Sequence, residues 1–177
     1  MRRVVSVYLP HWSTDRLRKQ TTKSRPDAPA PPTPLIPAAP AHGRPPGPPL
    51  PARAPAPDHG RRIVAAVDAG ARALGVAPGM TVTRARSFAP ELEVIDADPA
   101  ADLDGLRRLA LWAGRRYAPI VAPDPPDGLW LDITGCASLF DTERALLKDL
   151  HRRIAGFGLS VQVAVADTAG CAHAVAR

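Results

Sequence analysis

The residues best suited to chemistry in this 177-residue chain are three aspartates gathered in one stretch, Asp124, Asp127 and Asp132 in PDPPDGLWLDIT. Carboxylates are hard oxygen ligands of the kind Mg²⁺ takes, usually alongside substrate phosphates. Asp124 and Asp132 lie three and five residues from Asp127, across prolines or along a strand, a spacing that makes convergence on two metals hard to arrange. Asp127 also has a plainer role, because in Pro-Pro-Asp-Gly it is a favoured turn residue. Asp132 is expected to tie down backbone or a neighbouring arginine. The histidines (His11, His42, His59, His151, His173) are scattered without ligand spacing, and Cys136 and Cys171 sit in no CxxC or Cys/His pattern. Neither structural zinc nor a disulfide framework is expected, and a reducing cytoplasm is the simplest compartment.

The elements that must position these groups follow from apolar spacing. Residues 3–9 (RVVSVYL) are rich in β-branched side chains and bounded by Pro10, which predicts a buried strand, with Ser13 or Thr14 capping a short helix to about Gln20. From 21 to 60 there is no periodicity and almost nothing large to bury, and 14 of the chain's 22 prolines fall between Pro26 and Pro57. An extended, PPII-biased insertion without fixed structure is expected there, a linker or, alternatively, a ligand for an SH3-type domain. Residues 62–67 (RIVAAV) predict a strand, Asp68 an N-cap to a helix that Gly75 ends, Thr81 the start of a second short helix to Phe88, and 92–97 a strand. Leu103, Leu106, Leu109, Ala110 and Ala113 recur at helical spacing until Pro119. A turn over 123–128 leads into a strand over 129–134, where Trp130 is expected to pack beneath the helices. Thr142 or a neighbour then opens a helix to about Phe157, 159–166 alternates as a strand, and Asp167 or Thr168 caps a last helix. This order fits an α+β fold, a ferredoxin-like split βαβ core with a small inserted helical piece.

Net charge is +6 and the sequence pI is near 10.1, but the excess is local. Residues 1–25 carry seven basic groups against Asp15, while the remainder has 16 basic and 16 acidic groups. A basic N-terminal edge is expected, serving a polyanion or simply solvation. The apolar run after Arg2 and Arg3 is too short for a signal h-region or a membrane span, so no membrane role is expected. The last residues, CAHAVAR, read as a helix cut short, which suggests a fragment of a longer protein.

Four stretches, MRRVVSVYLPHW, RIVAAVDAGARALGVAPGM, DGLWLDITGCASLF and SVQVAVADTAGCAHAVAR, occur in the order and spacing that resemble the Y-family (UmuC/DinB-like) DNA polymerases, and within that family their catalytically degenerate ImuB branch. The resemblance covers nearly all of the chain apart from the proline-rich insertion. It implies a first palm strand and helix over 1–20, the insertion over 21–60, a fingers-like segment over 61–90, and a palm, truncated at its C-terminal side, over 91–177.

The resemblance also makes the departures informative. Nucleotidyl transfer in that fold needs two divalent cations roughly 3.5–4 Å apart, held by carboxylates on adjacent strands. The first-strand metal aspartate falls on Tyr8 and the second aspartate of that motif on Pro10. The partner-strand aspartate matches Asp127, but the adjacent glutamate falls on Gly128. Of the phosphate-contacting fingers residues, two fall on Ala66 and Ala69 and only the arginine persists, as Arg72; the phosphate-binding lysine falls on Ala169. Trp12 stands where the family places steric-gate aromatics, and as a residue it reads as core.

These substitutions imply no intact catalytic set, no metal and no resident cofactor, although active relatives use Mg²⁺. The implied function is a non-catalytic accessory or adaptor in DNA repair, translesion synthesis and damage-induced (SOS) mutagenesis. It would work beside an error-prone replicative-type polymerase, the sliding clamp and other mutagenesis-cassette proteins, with weak DNA binding by this part alone. The alternatives are an active translesion polymerase using Asp127 with Asp124 or Asp132, and an inactive truncated fragment.

Overall fold

The structure is a computed structural model that describes residues 2–24, 35–40 and 62–177. In chain order its elements are β1 (Val4–Tyr8), α1 (Trp12–Ser24), β2 (Leu35–Pro40), β3 (Arg62–Val64), α2 (Ala69–Ala73), α3 (Val82–Phe88), β4 (Glu93–Asp96), α4 (Pro99–Gly114), β5 (Ile120–Asp124), β6 (Gly128–Asp132), a 3₁₀ turn (Ala137–Phe140), α5 (Glu143–Gly156), β7 (Gln162–Ala166) and α6 (Ala169–Ala176). Among the described residues, 2–24 and 98–177 make one unit and 35–40 and 62–97 another.

In the larger unit β1 lies between β6 and β7, antiparallel to both, and β5 pairs outside β6, so the strand order is β5-β6-β1-β7. That is the antiparallel sheet of a split βαβ fold, as the alternation of elements predicts. Alternation along β1 sends Val5 and Val7 into a core shared with Leu129 and Leu131 of β6, Leu106, Leu109, Ala110 and Ala113 of α4, and Leu146, Leu150 and Ile154 of α5. Burial of a side chain of this size contributes roughly 1.5–3 kcal/mol, so this layer is the main source of the unit's stability. Ser6, opposite Trp130 and Ala164 in register, points to the other face together with Tyr8, and α6 covers that face with Ala172 and Ala176 buried. The Ser6 hydroxyl is fully buried there with no hydrogen-bond partner.

Helix starts follow their capping side chains. Asp98 accepts from the Ala101 N–H at 2.9 Å, Thr142 from Ala145 at 3.1 Å and Thr168 from Cys171 at 3.3 Å. Helix α1 instead begins at Trp12, before the expected Ser13 or Thr14 cap. The Ser13 hydroxyl is drawn off to Asp102 at 2.8 Å, and Thr14 donates back to the His11 carbonyl at 2.9 Å. The helix also continues to Ser24, beyond the expected end at Gln20.

The smaller unit corrects the sequence reading of 21–60. Leu35–Pro40 is the central strand of a three-stranded sheet of order β3-β2-β4, antiparallel to β3 and parallel to β4. The physical reason is the one large apolar pair in that stretch: Leu35 and Ile36 are buried, and Ile36 packs with Val64, Val67, Val76 and Leu92. Pro37 is tolerated because its carbonyl, not an N–H, is used, accepting from Ala65 at 2.9 Å. The remainder of the expected insertion, 25–34 and 41–60, lies outside the described residues, as do His42 and His59. Strand β4 joins this sheet, so the stretch from 91 to 97, expected to begin the palm, belongs to the smaller unit.

Asp68 ties that unit together. It is buried, its Oδ1 accepts from the Ala71 N–H at 2.7 Å as the predicted N-cap, and its Oδ2 accepts from the Leu35 N–H at 2.9 Å. Helix α2 ends at Gly75, whose φ of +86° only glycine adopts without strain.

Candidate functional site

The register of β1 on β6 sets Tyr8 directly opposite Gly128, and the Leu9 N–H donates to the Asp127 carbonyl at 2.8 Å. The end of the first strand and the start of the sixth therefore form one spot on the sheet. The β5–β6 turn adds a neighbour: Asp124 pairs in register with Gly128, so the hairpin folds Asp124 back beside Asp127. The reversal of the chain, not linear spacing, brings them together.

What lies between them is a cation supplied by the chain. Arg177, at the end of α6, places Nη2 at 3.1 Å from Asp127 Oδ1 and 3.3 Å from Asp124 Oδ2, with its guanidinium carbon 4.7 Å from the centre of the Tyr8 ring. One turn earlier, His173 puts Nε2 3.7 Å from Asp124 Oδ2 and stacks on Trp130 at 5.5 Å and 21°. The three charged side chains are each about a quarter exposed, at 25% for Arg177, 22% for Asp124 and 29% for Asp127. Charge-assisted bonds in such a half-sheltered place are stronger than at an open surface.

Gly128 leaves room for this arrangement. A Cβ there would lie 3.0 Å from the Val7 carbonyl oxygen, 3.2 Å from Asp124 Oδ2 and 3.3 Å from Arg177 Nη2. A side chain at 128 would press on the Val7 backbone as well as on the guanidinium and its partner carboxylate, which would have to give by a few tenths of an ångström. Pro10 sits just past β1, in the turn leading to α1, and its side chain presents no ligand atom.

The other sequence-selected residues lie elsewhere. Asp132 pairs with Val4, at the opposite end of β1 from Tyr8, so it cannot join Asp127 in one ligand set. Its Oδ1 accepts from the Thr134 N–H at 3.0 Å, and bonding to Thr134, with Arg2 at 3.6 Å, holds its carboxyl below the usual range. Arg72 is exposed in the last turn of α2, with Ala66 and Ala69 just ahead of it in the smaller unit. Ala169 is an exposed first residue of α6. Trp12 is buried, donates from Nε1 to the Asp102 carbonyl at 3.0 Å, and lies so close to Gly105 that a Cβ there would fall 2.6 Å from its ring. Cys136 is buried, Cys171 is exposed, and both are free thiols.

Much of the basic N-terminal edge is spent internally. Arg3 binds both oxygens of Glu143, at 2.7 and 2.5 Å, and Asp167 at 2.8 Å, and it holds the Glu143 carboxyl below its usual range. Arg16 Nε lies 2.6 Å from Asp102. Sequence reasoning missed Arg177 and His173, because nothing along the chain links the last helix to a turn fifty residues earlier. Among the described residues, no three His, Cys, Asp or Glu side chains are grouped to hold a metal, and no helix is long and apolar enough to cross a membrane.

Residues 51–177 match the impB/mucB/samB family model. Over 104 residues, 59% of this chain, the sequence is 45% identical to Protein ImuB of Caulobacter vibrioides strain NA1000 / CB15N, and equally to that of strain ATCC 19089 / CIP 103742 / CB 15. The match spans 22% of the length of these relatives. Among solved structures, a Dbh ternary complex superposes with a TM-score of 0.65 over 98% of this chain and 44% of that one. DinB from Sulfolobus solfataricus superposes at 0.60 over 93% and 42%. Both are 16% identical in sequence, so the likeness is one of fold.

Proposed function

The chain belongs to the impB/mucB/samB family, and from that premise we propose that it is a polymerase-like palm and fingers segment acting without catalysis, as an accessory or adaptor in DNA repair, translesion synthesis and damage-induced mutagenesis. The observation that carries this reading is the guanidinium of Arg177 bridging Asp124 and Asp127 beside Tyr8 and Gly128. Two-metal nucleotidyl transfer needs a cluster of free anionic oxygens to offset the cations. Here an aromatic ring and a glycine stand on the paired strands, and the two nearby carboxylates already share one guanidinium, which offsets half of their charge. The residues present do not fit a Mg²⁺ pair. The partners proposed with this role are an error-prone replicative-type polymerase, the sliding clamp and other mutagenesis-cassette proteins, with DNA bound weakly by this part of the protein. The cytoplasm is the proposed compartment.

The convergence of Asp124 with Asp127 favours a second reading, an active translesion polymerase in which Arg177 swings aside and the two carboxylates take a cation. Calorimetric titration of Mg²⁺ and Mn²⁺, with a deoxynucleotide triphosphate and primer-template, separates the two. The non-catalytic reading expects no metal-dependent nucleotide binding by the natural chain and a gain of it in a Tyr8→Asp/Gly128→Glu/Arg177→Ala variant. Two-metal binding with nucleotide by the natural chain would favour the polymerase instead.

A further inference from the structure

On the side of the palm sheet away from Tyr8, the outer surface of α4 carries the arginine pair Arg107–Arg108 and the turn just past its end carries a second, Arg115–Arg116, eight residues further on. Between them Leu111 is 64% exposed, as is Ile120 on the neighbouring edge strand β5. Leu111 forms a ridge between two hollows. One, of about 510 Å³, runs toward β5 over Ala110, Gly114, Val121 and Pro123 and is rimmed by Arg107 and Arg115. The other, of about 480 Å³, lies on the Trp112 side between Arg108 and Arg116.

The charge on this face is not balanced. Arg107 and Arg108 share Asp104, at 3.6 and 3.9 Å. Arg116, Arg152 and Arg153 share Asp149, at 3.7, 2.5 and 3.0 Å, and Asp149 also accepts from the Tyr117 hydroxyl at 2.8 Å. With Arg115, six arginines face two aspartates, an excess balanced by acids elsewhere, since residues 26–177 carry 16 basic and 16 acidic groups. Leu111 stands exposed among these arginines with Trp112 half-buried beside it, and tryptophan and arginine are residue types enriched in protein-binding hot spots.

We propose that this face docks an acidic amphipathic helix of a partner protein, with apolar side chains seated in the hollows either side of Leu111 and carboxylates meeting the two arginine pairs. Charge complementarity selects an acidic partner, and the paired hollows select side-chain anchors. A nucleic-acid strand fits less well, because single-strand binding relies on ring faces open to bases, and Trp112 is already engaged in T-shaped contacts with Tyr117 at 5.6 Å and Phe157 at 4.9 Å. The surface does not involve the Tyr8–Gly128 spot, so either proposal can fail without the other.

The test pans the 177-residue chain against displayed amphipathic helices whose apolar anchors are fixed while flanking positions vary freely among Glu, Lys and Ser. Enriched helices should be acidic, and a labelled synthetic copy should bind saturably in anisotropy titrations. Leu111→Asp and Arg115→Glu/Arg116→Glu should each weaken it by about tenfold or more, with unchanged circular dichroism because these side chains are exposed. A Glu→Lys copy should recover binding to the Arg→Glu variant. Absence of enrichment, equal binding to the variants, or a single-stranded oligonucleotide that alone shows the loss in those variants would overturn the proposal.

Discussion

In the unit of residues 2–24 and 98–177, leucines, isoleucines and valines from α4, α5, β1 and β6 are buried in one core, whereas the unit of 35–40 and 62–97 buries Ile36, Val64, Val67 and Val76 among alanines around the carboxylate of Asp68. The larger unit is held by apolar volume on one face of its sheet, and Tyr8 lies on the other face, outside the layer of Val5, Val7, Leu129 and Leu131. The smaller unit has no such reserve, and one aspartate joins its central strand to its first helix.

Truncating the larger core should have the greatest effect. Leu131→Ala is expected to cost about 2–5 kcal/mol, from lost burial and the cavity left behind. Because Trp12, Trp112 and Trp130 all lie in the larger unit, tryptophan fluorescence in a denaturant melt reads this loss selectively. Asp68→Ala should cost the smaller unit about 1–3 kcal/mol, since it removes a helix cap and orphans the buried Leu35 N–H. Amide hydrogen exchange over 62–97 should report it while tryptophan fluorescence barely moves. A larger effect for Asp68→Ala on fluorescence than for Leu131→Ala would break the comparison.

Acid should act on the larger unit through Glu143, Asp149 and Asp132, whose carboxyls are all held below their usual range, Glu143 by Arg3, Asp149 chiefly by the Tyr117 hydroxyl and then by Arg152 and Arg153, and Asp132 by Thr134. Their stabilisation is fully present above the unfolded values of about 4 and is lost as pH falls below them. A Glu143→Gln/Asp149→Asn variant should therefore melt with a flatter acid limb in circular dichroism. At the alkaline end, burial first and donation to Asp149 second push the Tyr117 hydroxyl up to about 12. That contribution is intact below about pH 10 and lost as pH rises through the folded value. In ultraviolet titration Asp149→Asn should bring the Tyr117 transition down. The smallest effect expected is from Ser6→Ala, neutral to stabilising by about 1 kcal/mol, since the hydroxyl is buried without a partner. A clear destabilisation in the same melts would mean that Ser6 does have a partner beneath α6.

Where a helix was strongly periodic the sequence was a sound guide: Leu106, Leu109, Ala110 and Ala113 do face the core, and Asp68, Thr81, Thr142 and Thr168 do cap. Both strands that sequence reading missed, Leu35–Pro40 and Ile120–Asp124, contain proline, which ordinarily argues against a strand. Ile120–Asp124 tolerates Pro123 as an edge strand, and Leu35–Pro40 is rescued by burial of Leu35 and Ile36. At the candidate site, the family resemblance singled out Tyr8 and Gly128, and the strand register sets them opposite each other. The Arg177 bridge did not, since it depends on how α6 crosses the sheet, a long-range fact with no local signal.

The proposed exclusion of divalent cations rests on Arg177 bridging Asp124 and Asp127. Its most direct test is an electron paramagnetic resonance titration of Mn²⁺ into the natural chain in the presence of a deoxynucleotide triphosphate, with free nucleotide as the reference. The account predicts that the natural chain leaves the Mn²⁺–nucleotide signal unchanged. A saturable protein-dependent signal with two Mn²⁺ per chain would show that the guanidinium yields its place to metal, and would contradict it.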